Sequence, residues 1–379
     1  MGITGTNGKT SCSQFVAQAL GPTHCGVIGT LGHGFLGQLS NSGHTTPDTV
    51  HCHRWLATML EEGADSVAME VSSHALEQGR VDGVRFDCAV FTNLSREHLD
   101  YHGDMDSYHL AKKKLFNMPD LRHAVVNSDD EAGRAMLAGI PDSVEVVTYG
   151  LEAERLRPTL YGHELELHSD GFHLQVESPW GSGRVSAPLI GRFNASNVLA
   201  TLAVLLIRGL AWDDAVVRVT RLHTVPGRME CFGGGERPLV VVDYAHTPDA
   251  LANALQAVRE HCRGDLWCVF GCGGDRDRGK RPLMGEIAER LADHVVLTHD
   301  NPRMEDPTAI LDDILAGMKQ PSRVQVIPDR AAAIAAAITQ ARAGDVVLVA
   351  GKGHENYQLI GNERIPFSDI EQVRARIAE

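Results

Sequence analysis

The chain has 379 residues, of which 43% are hydrophobic and 22% charged; these are globular values, and the length allows two or three domains, so a disordered or fibrous chain does not fit despite the 38 glycines. Thirty-five Lys+Arg against 49 Asp+Glu leave a net charge of −14, which opposes non-specific binding to nucleic acid or to an anionic membrane surface. The most apolar stretch, Val198–Ile207, is far shorter than the ~18 residues of a membrane span, no signal-peptide pattern is visible, and eight cysteines without a C-x-x-C read as reduced thiols. A cytoplasmic protein without membrane insertion is expected.

In chain order, Met1–Thr4 supplies half of a strand before the glycine-rich segment Gly5-Thr6-Asn7-Gly8-Lys9-Thr10-Ser11. Helix signals run over Ser13–Leu20 and stop at Gly21-Pro22. Ser66–Glu70, Phe86–Phe91, Ala124–Asn127 and Glu145–Thr148 are apolar runs separated by helix-like stretches, which predicts a mostly parallel sheet covered on both faces. Within about 160 to 188 the period changes to two, and Glu164–His168, a Ser169-Asp170-Gly171 turn and Phe172–Val176 predict a β-hairpin insert.

Helices are expected over 194–210 and 212–222. Pro226–Glu230 and Gly233–Pro238 then read as a hinge, placing the domains at 1–234 and 235–379. Beyond it, strands Leu239–Tyr244, Leu266–Phe270, His294–Thr298, Val324–Ile327 and Asp345–Ala350 alternate with helices over 248–261, 281–292, 307–318 and 330–342. The fold class is therefore α/β: a P-loop ATPase-like central domain with a hairpin insert, then a Rossmann-like doubly wound domain. Ligands are expected at the carboxyl ends of the strands.

The glycine-rich segment carries the clearest local chemistry. A strict Walker A pattern requires glycine where Ile3 stands, so the match is partial. Its small residues still allow backbone N–H groups to face phosphate oxygens, Lys9 to neutralise them and Thr10 to ligate Mg²⁺. A glycine-rich turn before an ordinary helix is the other reading. No Asn-Lys-x-Asp segment occurs, which sets GTPases aside. Ala68-Met69-Glu70 offers an acidic metal partner at a strand end, and Val71-Ser72-Ser73-His74 follows it.

Further motifs follow in a fixed order: Thr92-Asn-Leu-Ser-Arg-Glu-His98-Leu-Asp-Tyr-His-Gly103, Gly191-Arg-Phe-Asn194-Ala-Ser-Asn197, Pro226-Gly-Arg228 and Asp243-Tyr-Ala-His246-Thr-Pro248. With the glycine-rich loop they make essentially the whole chain resemble the Mur ligases, the ATP-dependent enzymes that build the peptide of bacterial cell-wall precursors. Asp300-Asn301-Pro302-Arg303 resembles the motif by which members of that family recognise meso-2,6-diaminopimelate. The resemblance implies that ATP converts a carboxylate to an acyl phosphate, which an amine then attacks, releasing ADP and phosphate. It implies UDP-N-acetylmuramoyl-L-alanyl-D-glutamate and meso-2,6-diaminopimelate as partners, ATP and Mg²⁺ as cofactors, and a monomer.

By position, the resemblance assigns catalysis to Lys9, Glu70, His98 and Lys112. Thr10 matches the first magnesium ligand, and Glu70 and His98 match ligands of the second. Lys112 matches a lysine carrying a carbon dioxide-derived carbamate, an anion that can approach a metal where an ammonium of pKa ~10.4 would repel it. The run Lys112-Lys113-Lys114 otherwise reads as a solvated helix face, on which neighbours lie ~100° apart and at most one can face a given site.

Gly5, Thr6, Asn7, Gly8, Lys9, Thr10, Ser11, Asn194, Asn197, Arg228 and Asp243 match ATP contacts. Thr45, Thr46, Ser72, Gln78 and Arg80 match contacts to the muramoyl-dipeptide, with His44 where the family often has asparagine. Arg276, Asp300, Asn301, Pro302, Arg303, Gly351 and Glu355 match the diaminopimelate site. There Arg303 is expected to clamp the distal carboxylate and Glu355 the distal ammonium, whereas lysine would leave Arg303 poorly paired.

Closure at the hinge would bring the amine over the acyl phosphate. Family members also carry a domain ahead of the loop that holds the uridine nucleotide, which Met1–Thr4 cannot supply; weak affinity for the UDP precursor is the corresponding expectation. A related ligase (lysine-adding, folylpolyglutamate or cyanophycin synthetase type) and a nucleotide-binding fragment without turnover remain the alternatives.

Overall fold

The computed structural model describes residues 1–153, 156–168 and 171–378. The chain divides into two compact units, Met1–His223 and Thr224–Glu379.

In the first unit the elements run β1 (Gly2–Thr4), α1 (Lys9–Leu20), β2 (Cys25–Gly29), β3 (Gly32–Gly34), α2 (Thr49–Glu61), β4 (Ser66–Glu70), α3 (Ser73–Glu77), β5 (Cys88–Phe91), α4 (Leu99–His102), α5 (Met105–Lys113), β6 (His123–Asn127), α6 (Glu131–Leu137), β7 (Glu145–Gly150), β8 (Leu160–His168), β9 (Gly171–Ser178), β10 (Gly181–Ala187), α7 (Arg192–Ile207) and α8 (Trp212–Val219). Among the described residues they form one ten-stranded sheet in the order β10-β9-β8-β7-β6-β5-β1-β4-β2-β3. Neighbours from β8 through β2 are parallel, and β3, β9 and β10 add antiparallel edges.

Short as it is, β1 lies mid-sheet, with Ile3 in register with Glu70 on one side and Val90 on the other. The predicted hairpin is three-stranded and continues the main sheet through β7, so it is an extension of one edge rather than a separate insert. The predicted turn at Ser169-Asp170 lies outside the described residues.

Helix α7 is buried on every side, from Asn194 to Leu206, which explains its lack of an amphipathic stripe. Side-chain caps start several helices: Asp48 accepts from His51 N–H, Ser72 from Ala75 N–H and Asp104 from Ser107 N–H, each contributing about 1 kcal/mol.

The second unit contains β11 (Glu230–Gly233), β12 (Leu239–Asp243), α9 (Pro248–Arg259), β13 (Leu266–Phe270), α10 (Lys280–Leu291), β14 (His294–Leu297), α11 (Pro307–Leu315), β15 (Gln325–Val326), α12 (Arg330–Gln340), β16 (Val346–Ala350), β17 (Tyr357–Ile360), β18 (Glu363–Pro366) and α13 (Asp369–Ala378). Its main sheet runs β11-β12-β16-β13-β14-β15, parallel except for β11, and β17-β18 form a separate hairpin. Val240, Val242, Val269, Val296, Ile334 and Val349 fill its core.

The boundary read from sequence at 234/235 falls instead at 223/224. Glu230–Gly233 pairs antiparallel with Leu239–Val242, so the glycine cluster at 233–235 is the turn of a hairpin inside the second unit, with Gly234 N–H bonded to Pro238 O.

Candidate active site

In the first unit the candidate residues collect at the carboxyl ends of β1, β4 and β5, where a parallel sheet presents its ligands. The loop after β1 is held by the segment after β5. Thr92 Oγ1 donates to Asn7 O at 2.6 Å, while Asn93 accepts from Asn7 N–H at 2.9 Å and donates to Asn7 O at 3.2 Å. This approach explains Gly5: its φ is +149°, and a Cβ there would lie 1.9 Å from Thr92 Oγ1, an impossible contact for any other residue. Lys9 Nζ bonds Gly5 O and Thr6 O, both at 2.8 Å.

Thr10 and Glu70 are brought together, with Thr10 Oγ1 donating to Glu70 Oε2 at 2.9 Å. Thr30 N–H reaches Glu70 Oε1 at 2.8 Å, and Thr30 Oγ1 lies 3.2 Å from Oε2. This buried hydroxyl–carboxylate pair is a hard-oxygen donor set of the kind Mg²⁺ takes, completed by phosphate and water. It therefore fits the ion, although among the described residues no group of three or more His, Cys, Asp or Glu side chains forms a metal cage.

Of the lysine run, Lys112 is buried, while Lys114 faces outward to Glu77 at 2.8 Å. Lys112 Nζ donates to Gly5 O at 2.9 Å and lies 4.4 Å from the Tyr108 ring centroid. Burial, and then the Lys9 charge, push its amine well below the usual lysine range. Lowering the pKa raises the share of neutral amine, the form that reacts with carbon dioxide, so its chemistry suits a carbamate.

His98 has a left-handed backbone, φ 57°. Its imidazole lies 3.6 Å from Glu97, with its ring centroid 4.7 Å from that of His74 and 6.1 Å from that of Tyr108. Tyr108 OH is 3.2 Å from Thr6 Oγ1, which links this aromatic group to the loop.

The residues matched to the dipeptide also gather. Thr46 Oγ1 donates to Glu70 O at 2.8 Å and accepts from Ser72 N–H at 3.0 Å. Thr45 pairs with Thr30 at 3.0 Å. Arg80 donates to Gln78 Oε1 at 2.8 Å and Thr46 O at 3.1 Å, while Gln78 donates to Tyr101 OH at 3.1 Å.

Asn194 and Asn197 are buried; Asn194 Nδ2 bonds Ile190 O at 2.9 Å, and Asn197 Oδ1 lies 2.8 Å from where a Gly8 Cβ would stand. Asn197 thus lies against the loop at Gly8, and its Nδ2 donates to Asn194 Oδ1 at 3.3 Å. A cavity of about 310 Å³, lined by His53, Leu60, Arg85 and Phe86 together with Met1 and Ser66, lies at the opposite, amino end of β1 and β4.

In the second unit, Arg228 lies 4.4 Å over the Tyr244 ring and 3.4 Å from His354 Nδ1. Asp243 accepts from Met229 N–H and Ala245 N–H, both at 2.9 Å, and burial raises its pKa. Burial, with Arg228 and Lys352 nearby, lowers His354 to about 4.

The segment matched to diaminopimelate forms one cluster after β14 and β16. Gly351 has φ +117°, and a Cβ there would lie 2.6 Å from Asp300 Oδ2, so only glycine admits this carboxylate. Asn301 Nδ2 donates to Glu355 Oε2 at 2.8 Å. Pro302 O packs under Gly274, 1.9 Å from a hypothetical Cβ. Arg303 has φ 53° and bonds Gly274 O at 2.7 Å, while Arg276, exposed, reaches Asp275 O at 3.0 Å. Left-handed non-glycine residues such as His98 and Arg303 are uncommon and persist where surrounding contacts hold them.

Sequence reasoning missed Thr30, Asn93, Tyr108 and Lys352. It also missed Arg330, a buried guanidinium that bonds Asp369 at 2.7 Å and Ala350 O at 2.9 Å. Asn93 and Lys352 were within reach, since Asn93 lies inside the Thr92–Gly103 motif and Lys352 stands beside the matched Gly351.

Comparison with known proteins gives the family. Residues 3–205 match the family described as "Mur ligase middle domain" and residues 227–353 that described as "Mur ligase, glutamate ligase domain". A Coxiella burnetii protein named UDP-N-acetylmuramoyl-L-alanyl-D-glutamate--2,6-diaminopimelate ligase is 51% identical over 379 residues, covering 99% of this chain and 77% of its own length. A Ralstonia nicotianae protein of the same name is 54% identical over 388 residues, covering 100% and 76%. A solved structure titled with that activity has 42% identity and a TM-score of 0.73, covering 100% of this chain and 77% of its own. With two family domains in order and relatives this similar along its length, the chain belongs to the Mur ligases.

Proposed function

We propose that this protein is an ATP-dependent ligase that joins meso-2,6-diaminopimelate to the D-glutamate γ-carboxylate of UDP-N-acetylmuramoyl-L-alanyl-D-glutamate, a step of peptidoglycan precursor synthesis. The reading is carried by the cluster of Asp300, Asn301, Arg303, Gly351 and Glu355 in the second unit, in a chain 51–54% identical to relatives named for that reaction.

The substrate carboxylate oxygen attacks the γ-phosphorus of ATP and ADP leaves; the diaminopimelate amine then attacks the acyl phosphate carbonyl, phosphate leaves and the nitrogen loses a proton. Such transfer depends on positioning and charge neutralisation. The Gly5–Ser11 loop and Lys9 receive the phosphates, and Asn194, Asn197, Arg228 and Asp243 take further parts of the nucleotide. Thr46, Ser72, Gln78 and Arg80 hold the dipeptide. Thr10, Glu70 and His98 would hold Mg²⁺, which when bound neutralises charge on the transferring phosphoryl group. Lys112, as a carbamate formed from its neutral amine, contributes an anion beside Gly5.

Arg303 pairs with the distal carboxylate of the incoming amino acid and Glu355 with its ammonium. The protein acts as a cytoplasmic monomer. The test is ADP release from the purified chain: turnover is expected only with both substrates present, and equal turnover with L-lysine would defeat the assignment.

A further inference from the structure

Lys352 is a buried cation to which the mechanism above gives no part. It is 0% exposed, and its ammonium donates to Asn301 Oδ1 at 3.0 Å and to Glu355 Oε2 at 2.9 Å. Asn301 Nδ2 donates to the same Glu355 oxygen at 2.8 Å, and Asn301 Oδ1 also accepts from Leu359 N–H at 3.0 Å. Lysine, amide and carboxylate thus close a triangle of hydrogen bonds. The arrangement fixes the amide: turned over, Asn301 would set its NH₂ against an ammonium and a peptide N–H.

The triangle also sets the charge of the site. Apart from Arg276, which is exposed and whose charge solvent screens, Lys352 and Arg303 bring two formal positive charges, and Glu355 and Asp300 two negative ones, within a single cluster of loops. Such a cluster is balanced before anything binds. A side-chain head carrying both an ammonium and a carboxylate leaves it balanced, whereas a lone ammonium adds a positive charge with no counterpart, in surroundings where unmatched charge is costly.

We propose that Lys352 is a positioning residue that sets amino-acid selectivity: it orients Asn301 and Glu355 and supplies the charge that makes the site accept a zwitterionic head over a lone ammonium. This rests on the reading of the cluster as the diaminopimelate site. Without Lys352 the cluster carries net negative charge, and the preference shifts toward L-lysine.

The test is steady-state ADP release by the full chain with meso-diaminopimelate or L-lysine, for the wild type, Lys352→Met and Lys352→Gln. The glutamine variant keeps a hydrogen-bonding group should the methionine variant fail to fold, and circular dichroism with thermal melting establishes folding. The expected result is a KM for diaminopimelate raised about 10- to 100-fold, as when a buried charged partner is deleted. The KM for ATP and kcat stay within about threefold, and the selectivity ratio over L-lysine falls with them unchanged.

A merely structural lysine would move kcat and all KM values together, and that pattern overturns the proposal. A selective wild type with equally selective folded variants overturns it alone. A wild type indifferent between the two amino acids overturns both it and the diaminopimelate reading.

Discussion

The two sites hold their cations in different ways. In the first unit, the Lys9 cation donates to the Gly5 and Thr6 carbonyls, both at 2.8 Å, beside the buried Lys112 amine, which donates to the same Gly5 carbonyl at 2.9 Å. In the second, Arg303 also donates to a carbonyl, Gly274 O, at 2.7 Å, but the fully buried cations are laid against carboxylates: Lys352 against Glu355, Arg330 against Asp369, and Arg281 against Glu305 and, at 2.8 Å, Asp313. Phosphate oxygens can replace a backbone carbonyl as acceptor, so cations held this way remain available to a polyanion. Carboxylate-paired cations instead preset a neutral frame, which suits a substrate of no net charge. The net charge of −14 says nothing of either; each site has its own local balance.

The largest test of this contrast is Lys112→Met, which should lower kcat by about 10³-fold or more, since it removes both the amine and any anion formed on it. Retained turnover in an ADP-release assay would break the assignment of Lys112 to the reaction. The same variant sharpens the contrast through stability. The native amine is pushed below its ordinary range, so the unfolded chain binds a proton there that the folded chain does not, up to the unfolded pKa of ~10.4. This penalty on the folded state is absent above that pH and complete below the lowered native value, so wild-type stability rises with pH across the window. Denaturant melts in carbonate-free buffer should show the advantage of Lys112→Met narrowing toward about pH 10.

Next in size, Arg303→Ala should raise the KM for diaminopimelate about 10- to 100-fold while leaving that for ATP nearly unchanged. An effect confined to ATP would contradict a division of labour between the units.

His354 offers a smaller effect of opposite pH sense to a raised-pKa histidine. Its folded pKa, about 4, lies below the unfolded value of ~6.5, so stability is complete above ~6.5 and is lost as pH falls through about 4. The loss should be on the order of 2 kcal/mol and should vanish in His354→Gln, as read from melting midpoints. Smallest of all, Lys114→Ala breaks an exposed pair with Glu77 and should change stability by about 0.5 kcal/mol or less, with no change in turnover.

Much of the second unit was legible in the sequence because its buried parallel strands are continuous apolar runs. Leu266–Phe270 was placed to the residue, and Val346–Ala350 within one. Elements lacking that signature were missed. Cys25–Gly29 is short and glycine-bounded, Gly181–Ala187 is a largely polar edge strand, and Glu363–Pro366 is exposed throughout.

The candidate site divides similarly. Contiguous motifs such as Gly5–Ser11 and Asp300–Arg303 could be read directly, whereas Thr30, 40 residues from Glu70, acquires its partner only when strands come together, and Lys352, three residues from Glu355, is joined to Asn301, 51 residues away, only by the fold. That Lys112 rather than Lys113 or Lys114 is the matched lysine came from the family resemblance; its burial follows from the way α5 packs.

The Arg330–Asp369 pair has a practical consequence for anyone reshaping the gene. Asp369 opens the last helix, yet its carboxylate neutralises a fully buried guanidinium that also holds Ala350 O, next to Gly351. The tail is thus wired to the strand end that carries Gly351. Trimming back past Asp369, as is often done to aid crystallisation, would strand that guanidinium in the interior, whereas a purification tag joined after the helix would leave the pair intact.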